Sequence, residues 1–425
     1  MSVLYTIGIL LYSLGVRIAA LFGNAKAEQW IKGRQKQRTA LRLLRQAQEP
    51  RAQGPDSDWI WFHAASLGEF EQGRPVIEAL KQEFPQYKIL LSFFSPSGYE
   101  IRKDYPLADE VLYLPSDTPA HAIQWVQRHH FVAAFFIKYE FWFNYMRALK
   151  EANIPLFYIS LILKPDSYFF RWYGTWFFRQ LKNVTHFFVQ DDTTAQLLQS
   201  NGMTNVTVCG DTRFDRVAAI AKQAKPFPEI EQFIANKQYE IDNRQCIIAG
   251  STWPPDEKLL AEFYKQLPED YCLIIAPHDI SASHVAQVKA MFPDSQLYTE
   301  LDAQKQSRVL IINTIGILSQ LYQYARFVYI GGGFGVNIHN IQEPVTFGCP
   351  VVFGPKYKSF KEAVDLVGME GAFSVRDASE LSDVFSRLMT DEEFYVMASE
   401  TCRNYLDSQV GATESIIKGF KKALF

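Results

Sequence analysis

The stretch from Phe327 to Pro355 holds the residues of this chain best spaced to do chemistry. An apolar run, 327–330, reads as a buried strand. It breaks at Gly331-Gly332-Gly333, where the backbone can take positive φ and approach a ligand closely. His339 and Asn340 fall where a helix should begin, and Asn is a favoured N-cap. Asn340, Glu343 and Phe347 follow at helical spacing, so Asn340 and Glu343 share a face that looks back at the glycine turn. A second apolar run, 350–353, closes the unit before Gly354-Pro355. Strand, glycine turn and helix start together suit a phosphate on backbone N–H groups and a ribose on the carboxylate. An ordinary βα turn with a structural bend is the bland alternative.

Other chemistry-bearing residues also sit just past apolar runs. His63-Ala64-Ala65-Ser66-Leu67-Gly68-Glu69 is a strand followed by a small-residue turn. Glu69 falls in the first helical turn, where the dipole and free N–H groups favour its anion. There it either takes a proton from a sugar hydroxyl or is merely a first-turn acid. Lys138 ends the run 131–137, and Arg213 lies in Gly210-Asp211-Thr212-Arg213-Phe214-Asp215. Cations so placed suit an anionic donor and a leaving phosphate, with a surface salt bridge as the alternative for each. Gly250-Ser251-Thr252, Pro277-His278-Asp279 and Asn313-Thr314-Ile315-Gly316-Ile317 follow three more runs. Neither a P-loop nor a Gly-x-Gly-x-x-Gly fingerprint occurs, so an oxidoreductase lacks its expected signal.

These loops need elements to carry them. From Asp58 onward, apolar runs at 59–64, 88–94, 110–114, 131–137, 156–160, 186–189 and 206–209 alternate with helical patterns such as 69–84 and 140–152. A polar, Pro-bearing lapse follows around 224–243. The alternation then resumes at 246–249, 272–276, 309–312, 327–330, 351–353 and 372–375. Repeated βα units predict parallel sheets with helices on both faces. A chain of 425 residues suits two such domains rather than one core. The fold expected is α/β, two doubly wound Rossmann-like domains facing a central cleft, with ligands at the carboxyl ends of the strands.

At 48% hydrophobic and 21% charged residues the chain is globular, and its net charge of −3 carries no nucleic-acid signature. Its scattered Cys residues lack metal or disulfide spacing and read as buried thiols in a reducing compartment. The segment 1–23 differs, with sixteen uncharged residues before Arg17 and an apolar end. Its length is marginal for spanning a bilayer, and no signal-peptide pattern accompanies it. A basic stretch follows, with Lys26, Lys32, Arg34, Lys36, Arg38, Arg42, Arg45 and Arg51. Positive charge on that side places the remainder in the cytoplasm and attracts anionic lipid. An uncleaved membrane anchor, spanning or lying in the interface, is expected over a soluble helix. The domain reading is therefore an anchor at 1–23, a basic linker at 24–57, a first Rossmann-like domain at 58–223, a linker at 224–243, and a second domain with C-terminal helices at 244–425.

With these residues assembled, the chain resembles the 3-deoxy-D-manno-octulosonic acid (Kdo) transferases of the GT-B glycosyltransferase superfamily. The likeness runs nearly end to end through Ala-Ser-Leu-Gly-Glu (65–69), Ser-Pro-Ser-Gly-Tyr-Glu (95–100), Gly-Asp-Thr-Arg-Phe-Asp (210–215), Gly-Ser-Thr (250–252), His-Asn-Ile-Gln-Glu-Pro (339–344) and Pro-Val-Val-Phe-Gly-Pro (350–355). The resemblance implies transfer of Kdo from CMP-Kdo to a lipid A precursor in lipopolysaccharide synthesis. It implies inversion, no metal or other cofactor, and a place at the inner membrane with the catalytic domains on the cytoplasmic side. It puts Glu69 at the general-base position and Arg213 where the family usually has a Lys that stabilises the transition state. Pro277, His278, Ile315, Gly316, Ile317, Asn340, Ile341, Gln342 and Glu343 fall on the stretches that bind the CMP-sugar, the first domain taking the acceptor. Where the family commonly reads Glu-Thr-Glu-Leu-Trp, this chain has Lys138-Tyr139-Glu140-Phe141-Trp142, so Lys138 replaces a catalytic acid and is expected to act electrostatically. The family's Pro-Arg-His becomes Pro277-His278-Asp279, and its Asn-Ala-Arg-Leu-Ser becomes Ser160-Leu161-Ile162-Leu163-Lys164. The alternatives are a membrane-associated GT-B enzyme using a UDP-sugar on a lipid acceptor, and a non-catalytic sugar-nucleotide-binding protein.

Overall fold

The computed structural model describes residues 1–47, 57–235, 245–302 and 304–424, with side chains described from 1 to 39 in the first of these. The chain forms two compact units, residues 1–215 with 411–425, and residues 216–410. The first holds β1 (Trp59–Ala64), β2 (Lys88–Phe93), β3 (Glu110–Tyr113), β4 (Phe131–Ile137), β5 (Leu156–Leu161), β6 (His186–Val189) and β7 (Val206–Val208). They make one parallel sheet in the order β3-β2-β1-β4-β5-β6-β7. The second holds β8 (Cys246–Thr252), β9 (Cys272–Pro277), β10 (Gln296–Leu297), β11 (Val309–Ile311), β12 (Phe327–Ile330), β13 (Val351–Phe353) and β14 (Ala372–Ser374), in the order β10-β11-β9-β8-β12-β13-β14. The expected apolar runs are these strands, to within a few residues at their ends. Only the two-residue β10 had no such signal.

Period-2 alternation explains why each sheet is buried on both faces. In β1, Trp59 and Trp61 enter one core, with Trp125, Phe136 and Tyr145. Ile60, Phe62 and Ala64 enter the opposite one, with Phe70, Phe135 and Phe157. Each strand order reverses once, between β1 and β4 and between β8 and β12. At such switch points the crossovers on either side diverge and leave a crevice at the carboxyl ends of the strands.

Three parts depart from the expected organisation. The stretch read as a basic linker is a helix over Ala25–Ala47, α2, following α1 at Ser2–Leu21. Its Gln37 pairs with both the N–H and the C=O of Tyr113, at 2.6 and 2.9 Å, and so satisfies part of the open edge of β3. Arg34 Nη2 reaches the carbonyls of Phe94 and Leu114 at 3.0 and 3.1 Å. Residues 48–56, with Arg51, lie outside the described residues, as do the side chains of Arg42 and Arg45. The stretch read as an interdomain linker holds the helix Pro228–Ala235, part of the second unit, while 236–243 lie outside the described residues.

The last helix, Ala412–Leu424, belongs to the first unit and not to the second domain as expected. Its Ile416, Ile417 and Phe420 complete the core on one face of the first sheet, with Phe420 against Phe84, Phe135 and Phe157. The Asp215 carboxylate accepts from the N–H groups of Gly411 and Thr413, both at 2.6 Å, and so caps the start of this helix. Phe420 is fully buried. Phe420→Ala is expected to destabilise the first unit by about 3–5 kcal/mol, the usual cost of emptying a buried Phe site. Urea titration followed through the first-unit tryptophans checks this, and a loss confined to the second unit would contradict the assignment.

α1 is long and apolar enough to cross a membrane. It nevertheless rests on the first unit. Tyr5 donates to Asp117 Oδ2 at 2.6 Å, and Ser13 Oγ lies 3.1 Å from Ser116 Oγ. Those attachments are about 12 Å apart along the helix axis. Val3, Ile7, Leu10, Leu14, Ile18 and Leu21 share another face, and all are exposed.

Candidate active site

Glu69 sits at the switch point of the first sheet. The chain leaves β1 through Ala65 and Ser66 and enters α3 (Leu67–Glu83), with Glu69 in its first turn. Glu69 Oε2 accepts from the N–H groups of Ala65 at 2.5 Å and Ser66 at 3.1 Å. Burial and the nearby charge of Glu140 nonetheless outweigh these bonds and the cation Lys138, and push its pKa up to about 7. A carboxyl group near half-ionisation at neutral pH is matched to accepting a proton there.

Lys138 follows β4, the other strand at this switch point. Its N–H still bonds Ile159 O at 3.0 Å, but its φ is +59°. A long side chain rarely adopts this left-handed conformation, which ends the strand here and costs on the order of 1–3 kcal/mol. Ser251, at the end of β8 beside the switch point of the second sheet, has φ +54°. Non-glycine residues in this conformation thus mark the strand ends at both crevices.

A buried network that the motifs did not single out supports this site. Glu140 Oε2 accepts from Trp142 Nε1 at 2.7 Å and lies 3.1 Å from His63 Nε2. His63 Nδ1 lies 2.8 Å from Ser92 Oγ, and Tyr158 donates to the Glu140 carbonyl at 2.7 Å. The signal available was the pairing of His63, the one polar residue of β1, with an acid three residues past the end of β4. Arg213 is more committed than expected. Its Nε and Nη2 donate to Asp211 Oδ2 at 2.9 and 2.7 Å, and Gln72 of α3 donates to the same oxygen at 3.1 Å. The Arg213 loop is thereby tied to the helix that carries Glu69.

In the second unit the glycine turn has another role from the one expected. Gly331 N–H donates to Gly250 O and Gly332 N–H to Asp256 Oδ2, both at 2.9 Å. A carboxylate of the protein thus occupies an N–H expected to cradle phosphate. Side chains are excluded by packing, since a Cβ on Gly331 would lie 2.3 Å from Ser251 O and one on Gly333 2.6 Å from Gly354 N. The glycines let β12 pass close to its neighbours at the switch point.

The helix expected at Asn340 is short, Gln342–Thr346. Asn340 Oδ1 accepts from Gln342 N–H at 3.0 Å, and its Nδ2 donates to Glu343 Oε1 at 3.3 Å. Asn340 and Glu343 are therefore brought together. Burial raises the Glu343 pKa, opposed by Asn340 and the cation Arg216. Ile341 and Gln342 instead point inward, with Gln342 bonded to Glu362 Oε1 at 3.1 Å, so their side chains hold the helix in place. Pro277 is buried at the end of β9. Ile315 and Gly316 are exposed, and Ile317 immediately precedes the helix Leu318–Leu321. His278 stacks against both Trp253 and His339, its ring centroid 4.6 Å from each, and those two rings lie side by side with Trp253 Nε1 donating to His339 Nε2 at 2.8 Å. Burial first, then His278, lowers the His339 pKa, which keeps that ring neutral and able to accept.

Residues 33–216 match the family described as 3-deoxy-D-manno-octulosonic-acid transferase (kdotransferase). Over those residues the chain is similar to the Kdo transferases. Kdo transferases are also similar to it over most of its length. That of Aquifex aeolicus is 26% identical, over 78% of this chain and 86% of its own. That of Rickettsia bellii is 24% identical, over 84% of each. Among solved structures, UDP-GlcNAc 2-epimerase from Neisseria meningitidis shares the fold at TM-score 0.58 and 14% identity, over 86% of this chain and all of its own. The two parallel sheets are of the GT-B type.

Glu69 ionises above about 4.5 when unfolded and above about 7 when folded. Between these values the folded state holds the extra proton, so stability contributed below pH 4.5 is lost as pH rises towards 7. Glu69→Gln should flatten this fall, read as thermal midpoint against pH. An unchanged slope would remove Glu69 as its source.

Proposed function

We propose that this protein transfers Kdo from CMP-Kdo to a lipid A precursor at a membrane surface, with inversion and without a metal ion. The observation that carries this reading is Glu69, a half-buried acid with pKa about 7 at the switch point of the first sheet, within the residues similar to the Kdo transferases. In the reaction an acceptor hydroxyl attacks the anomeric carbon of Kdo while the bond to the CMP phosphate oxygen breaks. The hydroxyl proton passes to Glu69 and the bond electrons leave with CMP. Lys138 offers positive charge to the phosphate or the sugar carboxylate. Arg213 contributes less, because Asp211 offsets its charge at 2.7 Å, and acts by holding its loop to α3. In the second unit Glu343 and Asn340 receive the ribose hydroxyls, with the exposed turn at Ile315 and Gly316, and His278 in its ring stack, beside the base.

Support for the membrane surface comes from α1, whose attachments to the first unit and exposed apolar face suit a helix lying in the interface. The basic flank in α2 supports a location at the cytoplasmic face of the inner membrane, where anionic headgroups attract it.

The test is purified full-length protein with CMP-Kdo and lipid A precursor. Glu69→Gln should lower kcat by about 10²–10⁴ while CMP binding persists, and Lys138→Met should lower kcat with it. Near-normal turnover by Glu69→Gln, or turnover of a UDP-sugar in place of CMP-Kdo, would refute the reading. For the donor site, Glu343→Ala should weaken CMP binding by roughly 1.5–3 kcal/mol, the range for a charged hydrogen bond. Calorimetry showing unchanged affinity in the folded variant would count against the ribose role.

A further inference from the structure

A cavity of about 380 Å³ lies within the first unit where α1 and α2 meet the end of β3, and its chemistry is one-sided. Arg17, Arg34 and Arg38 line it together with Trp30 and Trp125, and among the described residues no carboxylate does. Trp30 Nε1, Trp125 Nε1 and Arg34 Nη1 are buried and find no acceptor among the described residues. Among the described residues no ion pair reaches Arg17 or Arg38, whereas Arg128 at the same cavity is committed to Glu110 at 3.0 Å. Those three atoms are sealed within the wall, and what the cavity offers a ligand is the guanidinium groups of Arg17 and Arg38, which meet no carboxylate among the described residues and suit a ligand rich in acceptor oxygens. The volume lies in the range of small-molecule sites.

Arg34 is the centre of this arrangement. Its guanidinium lies 3.7 Å over the Trp30 ring, and Nε and Nη2 hold backbone carbonyls, which fixes the fork. Burial pulls its pKa down to about 9, so it remains charged at neutral pH at a cost that an anion would offset. The same cavity adjoins the apolar face of α1, for Leu14, Ile18 and Leu21 lie within one turn of Arg17 and are exposed. We propose that this cavity binds the phosphate head of one anionic membrane phospholipid, whose acyl chains lie along that face of α1. That the anion is lipid-borne rests on the interfacial reading of α1, whereas the demand for an anion comes from the cavity alone.

Full-length protein in a non-ionic detergent, mixed with equal amounts of phosphatidylglycerol and phosphatidylcholine, is expected to retain one phosphatidylglycerol in native mass spectrometry. Arg17→Gln with Arg38→Gln should cut that retention at least about tenfold. Lys26→Gln with Lys36→Gln removes the same charge from α2 outside the cavity and should leave retention unchanged. Equal retention of both lipids, equal loss in the two variants, or displacement of phosphatidylglycerol by inorganic phosphate at the same concentration overturns the assignment. Sedimentation with phosphatidylcholine vesicles reports on α1 separately. No binding there, with retention intact, sinks the interfacial helix alone, and vesicle binding without lipid selectivity sinks the phosphate site alone.

Discussion

A parallel sheet covered on both faces leaves only its strand ends for chemistry, and everything in this protein follows from that constraint. The alternating side chains of β1 feed two separate cores, so no residue in the middle of the strand can meet a substrate. Even His63, the polar residue of β1, is fully buried and spends its ring nitrogens on Ser92, Glu140 and Trp142. Reactive groups must therefore stand just past the strands, and the switch points decide which strand ends have open space beside them. Glu69 and Lys138 follow the two strands at the first switch point, and Ser251 and Gly331 end or follow those at the second.

The electrostatics of the first site are a balance of opposed terms. Two backbone N–H groups and a lysine favour the Glu69 anion, while burial and a second carboxylate oppose it. Glu140 can stay close because Trp142 donates to it and His63 lies beside it. The balance leaves the acid poised instead of fixed in either state. Lys138 takes part without a glycine's freedom, its backbone bent into the left-handed region at the very residue that supplies the charge.

Much of this was legible in the sequence because apolar runs are local signals. Strand positions, the parallel α/β class and the turn carrying Glu69 needed only windows of a few residues. What was not legible depended on distant partners. Gly331–333 looked like an anion cradle because nothing nearby shows that Asp256, far back in the chain, takes the Gly332 N–H. The basic stretch looked like a linker because charge hides the apolar and hydrogen-bonding face through which Trp30, Arg34 and Gln37 dock on β3 and its neighbours. Helical periodicity in the last residues showed an apolar face but not which sheet it covers.

The return of the final helix to the first unit has a consequence for how the chain comes into being. Synthesis delivers the whole second unit, residues 216–410, before the segment that finishes the first. Until then Phe135 and Phe157 lack the Phe420 ring that covers them, and Asp215 lacks the N–H groups of Gly411 and Thr413 that it binds in the finished fold. The emerging polypeptide must therefore carry an uncovered aromatic surface through most of its translation. The second unit, continuous in sequence, can close as soon as it leaves the ribosome, while the unit that began first is the last to be sealed.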